Sequence, residues 1–213
     1  MVRAKICGVT TEADLRAVSD AGADAVGIVT EVSVDTPREV DPDRAADLIA
    51  AAPPFLSTVV VSMPESPARA VELAGALTPD AIQLHGDFDA EDVRYVRREA
   101  RTAVITAVDA ADTDRAHEYD GVADAVLVDS TGESGAGGTG ETHDWDAAGD
   151  LVADLSTPVV LAGGLTPENV AEAAGTAVPY AVDVSSGVER TGGRKDHEAV
   201  RAFVRNADVE VPV

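Results

Sequence analysis

Cysteine is nearly missing from this chain: Cys7 is its one thiol. An internal disulfide is therefore excluded, and so is a structural zinc site built on a cluster of thiolates. Lysine is almost as scarce, since Lys5 and Lys195 are the only two positions and arginine supplies the other cations. No uninterrupted apolar stretch approaches the roughly 20 residues of a membrane-spanning helix. Only Met1 and Val2 precede a strand-like run, which leaves no secretory signal. A cytoplasmic protein without a membrane partner is the expectation. Nothing resembles a linker long enough to divide domains, so 213 residues with 45% hydrophobic side chains are read as one domain, 1-213, around one sizeable core.

What the chain has in excess is negative charge: 39 acidic against 16 basic residues, a formal net charge of -23. Two like charges about 8 Å apart in water repel by roughly 0.5 kcal/mol, and many such pairs on a small surface become comparable with total stability. Salt screens most of this, because the Debye length falls to about 3 Å at 1 M. A salt-rich cytoplasm, as in halophiles, suits such a surface. The same charge argues against nucleic acid as a partner.

The stretch from Pro158 to Glu189 reads as strand, glycine turn, helix, strand and second glycine turn. Val159 to Leu161 stop at Gly163-Gly164, where a backbone without Cβ atoms can approach a ligand. Thr166, Pro167 and Glu168 then open a helix, with a hydroxyl cap, proline at the first position and an acid in the first turn. In the strand from Tyr180 to Val184 the alternation points Val182 and Val184 one way and Ala181, Asp183 and Ser185 the other. Ser185-Ser186-Gly187 adds hydroxyls and a further close-approach glycine. Two consecutive strand ends thus offer donors to one small anion, most simply a phosphate, although either turn alone also fits an ordinary tight turn.

The rest of the chain repeats the theme. Strand runs Arg3 to Cys7, Asp24 to Val29, Phe55 to Ser62, Ala81 to His85, Thr102 to Val108 and Asp124 to Asp129 alternate with helical stretches, and a last helix covers about Asp196 to Asn206. Apolar strands alternating with helices, with no hairpin signal, are the pattern of parallel strands joined by right-handed crossovers. Eight repeats point to a closed, single-domain (β/α)8 barrel of the TIM type, with an open doubly wound sheet as the alternative.

In such a barrel the active site lies at the carboxyl ends of the strands. That rim presents Cys7, His85, Asp129 and Asp183 as titratable groups, and parity turns Cys7, His85 and Asp129 toward the barrel axis while Ile6, Leu84 and Val128 face the helices. Blander roles remain open for each: a small buried apolar cysteine, a core histidine bonded to backbone, an aspartate closing a turn. Between Ser134 and Thr142 the run Gly135-x-x-x-x-Gly140-Glu141-Thr142 is one residue from a nucleotide-binding loop. Glu141 stands where that loop needs its phosphate-binding lysine, so the segment reads instead as a mobile lid or wall.

Taken together, KICGVT (5 to 10), QLHG (83 to 86), GGTGETHDW (137 to 145), LAGGLTPENV (161 to 170) and VDVSSGVE (182 to 189) resemble phosphoribosylanthranilate isomerase, in order and spacing over the whole chain. The resemblance implies a cofactor-free barrel enzyme of tryptophan biosynthesis acting on a small-molecule phosphosugar by an Amadori rearrangement, as a monomer or homodimer. It implies Cys7 as general base, Asp129 as general acid, Arg38 as the holder of the anthranilate carboxylate, and Gly163, Gly164, Ser186 and Gly187 as phosphate-binding positions. Glu141 and His143 depart from the lysine and phenylalanine often seen in the glycine loop. For the chemistry, Asp129 needs its pKa raised and Cys7 needs its pKa lowered by positive potential, with Lys5 as a candidate source. A related phosphosugar synthase would bring more strand-end lysines than Lys5, and a non-catalytic binding barrel would not need an acid and a base in one pocket.

Overall fold

The computed structural model describes residues 2–129 and 145–209. Eight strands alternate with helices: β1 Arg3–Ile6, β2 Ala25–Val29, β3 Ser57–Ser62, β4 Ala81–Leu84, β5 Ala103–Asp109, β6 Ala125–Asp129, β7 Val159–Ala162 and β8 Ala181–Val184. They close in chain order into one barrel, with every neighbouring pair parallel and β8 returning to β1 through Lys5 opposite Asp183. The helices are α1 Glu12–Asp20, α2 Pro42–Ala51, α3 Pro67–Leu77, α4 Ala90–Glu99, α5 Thr113–Glu118, α6 Trp145–Asp154, α7 Val170–Ala177 and α8 His197–Ala207.

Local chemistry explains most helix starts. Thr11, Asp41, Ser66 and Asp196 each accept a backbone N–H from the first turn they precede, and Pro42 and Pro67 sit where a missing donor does no harm. Asp89 and Asp92 form a reciprocal capping box at α4. Alternation along the strands then sorts the side chains. Ile6, Val182 and Val184 join the helix-facing core on one side of the barrel, and Leu84 and Val128 join its counterpart on the other. The barrel's own interior is filled by Cys7, Val29, Val59, Val61 and Ala81 toward one half and by Ala125, Leu127, Val160, Ala162 and Ala181 toward the other. Ile105 touches both sets, so the interior is packed and its chemistry is confined to the ends.

Two features differ from the sequence reading. Helix α7 starts at Val170 rather than at Pro167, because Asn169 holds the preceding residues as a loop. Its Oδ1 accepts the Thr166 N–H at 2.7 Å and its Nδ2 donates to the Gly164 carbonyl at 3.0 Å. There is also a small hairpin that went unread, β9 Glu189–Thr191 against β10 Arg194–Lys195, antiparallel across Gly192-Gly193. That glycine pair was its signal. It seats the hairpin on the loop after β2: a Cβ on Gly193 would lie 2.2 Å from the Pro37 carbonyl oxygen, and one on Gly192 2.6 Å from the Pro37 ring.

The amino-terminal end of the barrel carries a repeated device. Asp24, Asp80 and Asp124 each stand one residue before an even-numbered strand, and each accepts a backbone N–H from the odd-numbered strand beside it: Ala4 at 2.8 Å, Thr58 at 2.7 Å and Val104 at 2.9 Å. The recurring Asp-Ala dipeptide at the start of β2, β4 and β6 is the sequence form of this clamp.

Candidate active site

At the opposite end, the sites proposed from sequence converge. Cys7 follows β1 and is buried; its N–H donates to the Val184 carbonyl at 2.8 Å, tying it to the end of β8. Room for its side chain comes from Gly27 on β2, where a Cβ would lie only 2.8 Å from Cys7 Sγ. The next residue, Gly8, has φ +75°, and a Cβ there would meet Arg38 Cδ at 2.8 Å and Ser185 Oγ at 3.1 Å. Glycine at this position therefore lets the Arg38 stem and the start of the β8 loop crowd the end of β1.

Beneath Cys7 lies a buried ion pair: Lys5 Nζ and Asp183 Oδ1 are 3.0 Å apart, with side chains 5% and 9% exposed. Arg38 is gripped from the side by Glu189, Nε to Oε1 at 2.9 Å and Nη2 to Oε2 at 2.8 Å. Lys195 Nζ donates to the same Glu189 Oε1 at 2.9 Å and to the Ser185 carbonyl at 3.1 Å. Ser185 Oγ is buried without a hydrogen-bond partner among the described residues, a donor and acceptor held in reserve beside Gly8.

The two glycine turns meet. Gly163 (φ +91°) and Gly164 (φ +60°) take the left-handed conformation after β7. Gly187, in the 3-10 turn Ser186–Val188 after β8, packs so tightly that a Cβ would fall 1.9 Å from the Leu165 carbonyl oxygen. Its lack of a side chain thus brings into contact the two loops from which the phosphate donors were expected. Asp129 closes β6, opposite Asp109 on β5 and Ala162 on β7. His85 follows β4, with its N–H on the Ser62 carbonyl at 2.9 Å, and lines a cavity of about 330 Å³ with Met63, Gly86 and Phe88. Glu141 and His143, and with them the expected lid, lie outside the described residues.

The sequence model of N-(5'phosphoribosyl)anthranilate (PRA) isomerase matches residues 4–206. The chain is 61% identical over 211 residues to an N-(5'-phosphoribosyl)anthranilate isomerase of the halophilic archaeon Halorubrum lacusprofundi, covering 99% of each. The chain belongs to the phosphoribosylanthranilate isomerase family. Its structure matches that of the phosphoribosyl anthranilate isomerase from Thermotoga maritima with a TM-score of 0.87 at 37% identity, covering 97% of this chain and 98% of that one. A second solved isomerase, bound to reduced 1-(o-carboxyphenylamino)-1-deoxyribulose 5-phosphate, matches with a TM-score of 0.84 at 36% identity, covering 97% and 98%. As a member of this family, the chain is an isomerase of N-(5-phosphoribosyl)anthranilate.

Electrostatics refine the expectation for the thiol. Burial pushes the Cys7 pKa up, and this outweighs Lys5, which pulls it down; Asp183 pushes it up again, while Lys195 and the Gly8 N–H pull it down. The net shift is upward, opposite to the expectation from sequence, because burial of the thiol outweighs the Lys5 charge on which that expectation relied, and Asp183 beside Lys5 adds to the rise. His85 is held below its ordinary pKa, first by burial, with Asp129 opposing and Lys5 reinforcing. It is therefore neutral near pH 7.

Sequence reasoning missed Gly27, Glu189 and Lys195. Two of them left a trace: Gly27 is a glycine inside an apolar strand, and Lys195 is one of two lysines in a lysine-poor chain, both of which prove to be buried; Glu189 left none.

Proposed function

We propose that Cys7 and Asp129 are the base and acid with which this isomerase converts N-(5-phosphoribosyl)anthranilate to 1-(2-carboxyphenylamino)-1-deoxyribulose 5-phosphate. Asp129 gives its proton to the furanose ring oxygen as the bond from that oxygen to C1′ breaks and the anilino nitrogen lone pair forms the C1′=N bond. Cys7 then takes the proton from C2′, and that electron pair forms the C1′=C2′ bond while nitrogen regains its lone pair. The resulting enol tautomerises to the 2-ketose. The phosphate sits on Gly163, Gly164, Ser186 and Gly187, with Ser185 beside it. Arg38 takes the anthranilate carboxylate, and neutral His85 lines the mouth at the end of β4.

The observation that carries this reading is the setting of Cys7: a buried thiol at a strand end, between the Lys5–Asp183 pair and the Gly8 crossing of Arg38 and Ser185. A thiol with a raised pKa is protonated at rest, which protects it; it becomes a base by releasing that proton to solvent, which the arrival of the ring-opened cation favours. The positive iminium nitrogen, one bond from C1′, supplies the potential that burial withholds. The whole chain is read as one catalytic domain, working in a salt-rich cytoplasm as a monomer or homodimer.

The test is loss of substrate fluorescence with freshly made phosphoribosylanthranilate. Cys7→Ala and Asp129→Asn should each lose at least about 10²-fold in kcat while melting as the parent does, since acid or base help is worth about 10² to 10⁴. A Cys7→Ser enzyme with near-parental turnover would make Cys7 a packing residue and pass the proton to another group, His85 first.

A further inference from the structure

We propose that Glu189, anchored by Lys195, is a positioning residue for Arg38: it holds the Nε–Nη2 edge of the guanidinium so that the Nη1–Nη2 edge is presented to the substrate carboxylate. This deepens, and rests on, the reading of Arg38 given above. A guanidinium carries five N–H donors in one plane. Glu189 occupies one on Nε and one on Nη2, with its two oxygens at 2.9 and 2.8 Å. The remaining donors include a parallel pair on Nη1 and Nη2, the spacing that a second carboxylate accepts through two bonds. One arginine can therefore serve two carboxylates, one built in and one brought by the substrate.

Glu189 does not behave as a plug that the substrate displaces. Its side chain is 5% exposed, and the Lys195 ammonium bonded to it is fully buried. Moving the carboxylate away would strand a buried lysine charge. Three further contacts fix the arrangement. Lys195 also donates to the Ser185 carbonyl, linking the Arg38 clamp to the loop after β8. The β9–β10 hairpin that carries Glu189 and Lys195 is seated on Pro37, next to Arg38 in the chain. The Arg38 stem crosses Gly8, immediately after Cys7. The clamp thus sets the distance between the place where a carboxylate is held and the place where the sugar reacts, and a lone arginine on the long loop after β2 would leave that distance free.

Kinetics in molar KCl separate this from a structural role. Two substrates are compared: phosphoribosylanthranilate and N-(5-phosphoribosyl)aniline, which lacks the carboxylate; a compound that does not turn over is measured as an inhibitor. Glu189→Gln is the first variant. Glu189→Gln/Lys195→Met is the second, and it removes both charges so that none is stranded in the fold. Each should raise KM for phosphoribosylanthranilate about tenfold, keep kcat within about threefold, and leave the aniline compound unchanged. Arg38→Ala should erase the preference for the carboxylate, and adding Glu189→Gln to it should cause no further loss. If Arg38→Ala erases the preference and both Glu189 variants keep it, the positioning role is overturned while the Arg38 reading stands. If Arg38→Ala itself keeps the preference, the Arg38 reading falls and takes this proposal with it. Equal losses on both compounds with a lowered melting temperature would make the Glu189–Lys195 pair structural, which also overturns the proposal.

Discussion

The two ends of this barrel spend their charged residues differently. At the amino-terminal end, Asp24, Asp80 and Asp124 accept backbone N–H groups of neighbouring strands from the rim, so no opposite charge has to be buried to hold them. At the carboxyl-terminal end, Lys5 faces Asp183 and Lys195 faces Glu189 with little or no exposure, and a buried serine hydroxyl has no partner among the described residues. Buried ion pairs add little net stability, because desolvation offsets their attraction. A backbone N–H left unpaired in a core, by contrast, destabilises by about 1–3 kcal/mol. The comparison teaches that one end is built to close the barrel and the other to hold charge where a substrate's charge will change.

The sharpest way to break the comparison is at the reacting groups. Asp129→Asn or Cys7→Ser should remove roughly 3 to 5 kcal/mol of barrier lowering. Their melting curves should match the parent's, and a variant that melts early would place the residue in the stability account instead.

Next in size is Gly27→Ala, which puts a methyl group 2.8 Å from Cys7 Sγ. The thiol has to shift, and kcat should fall by about 10- to 100-fold, as displacement of a reacting group by about 1 Å does. Single-turnover rates with saturating substrate would show it, since KM should change much less.

At the other end, Asp80→Ala removes the acceptor for the Thr58 N–H and the Thr58 hydroxyl, at 2.7 and 2.9 Å. Thr58 is buried, so about 1–3 kcal/mol of stability should be lost, which is several degrees in melting temperature for a domain of this size. In molar KCl below the new midpoint, kcat should be unchanged. If kcat fell with it, the two ends would not be separable.

The smallest expected effects come from pH and salt. Burial raises the Glu189 pKa, but bonds from Arg38 and Lys195 lower it more, and the folded value lies below the ordinary one. A carboxylate with a depressed folded pKa stabilises above its unfolded pKa, and that stability is lost as pH falls through the folded value. Melting followed from about pH 6 to about pH 3 should show this acid loss in the parent and a shallower one in Glu189→Gln/Lys195→Met. The Cys7 shift has the opposite sign: its alkylation by iodoacetamide should keep accelerating with pH through the ordinary thiol range, and a rate that levels off near pH 7 would mean that the thiol is activated at rest. Salt acts on both ends alike. Because the net charge is -23, the melting temperature should rise between dilute buffer and about 1 M KCl, where the Debye length is about 3 Å.

How much of this was legible follows from the range of the interactions. Strand and helix order, most helix caps and the inward parity of Cys7, Asp129 and Asp183 depend on neighbours within a few residues, so the amino-acid sequence alone determined them. Even the Asp-Ala clamp is written there as a repeat. The partner of Arg38, by contrast, lies 151 residues away, and no local pattern selects Glu189 for that task. The fit of Gly187 against Leu165 and of Gly27 against Cys7 exists only once the barrel has closed and set two backbones within contact. The direction of the Cys7 shift was decided there too. Closure buries the thiol, which raises its pKa first, and it sets Asp183 on β8 in register with Lys5 on β1, which brings a negative charge to the lysine that was to activate it. Residue types and local periods name which groups are available; the sign of their electrostatics depends on how deeply the folded chain buries them and which charges it buries with them.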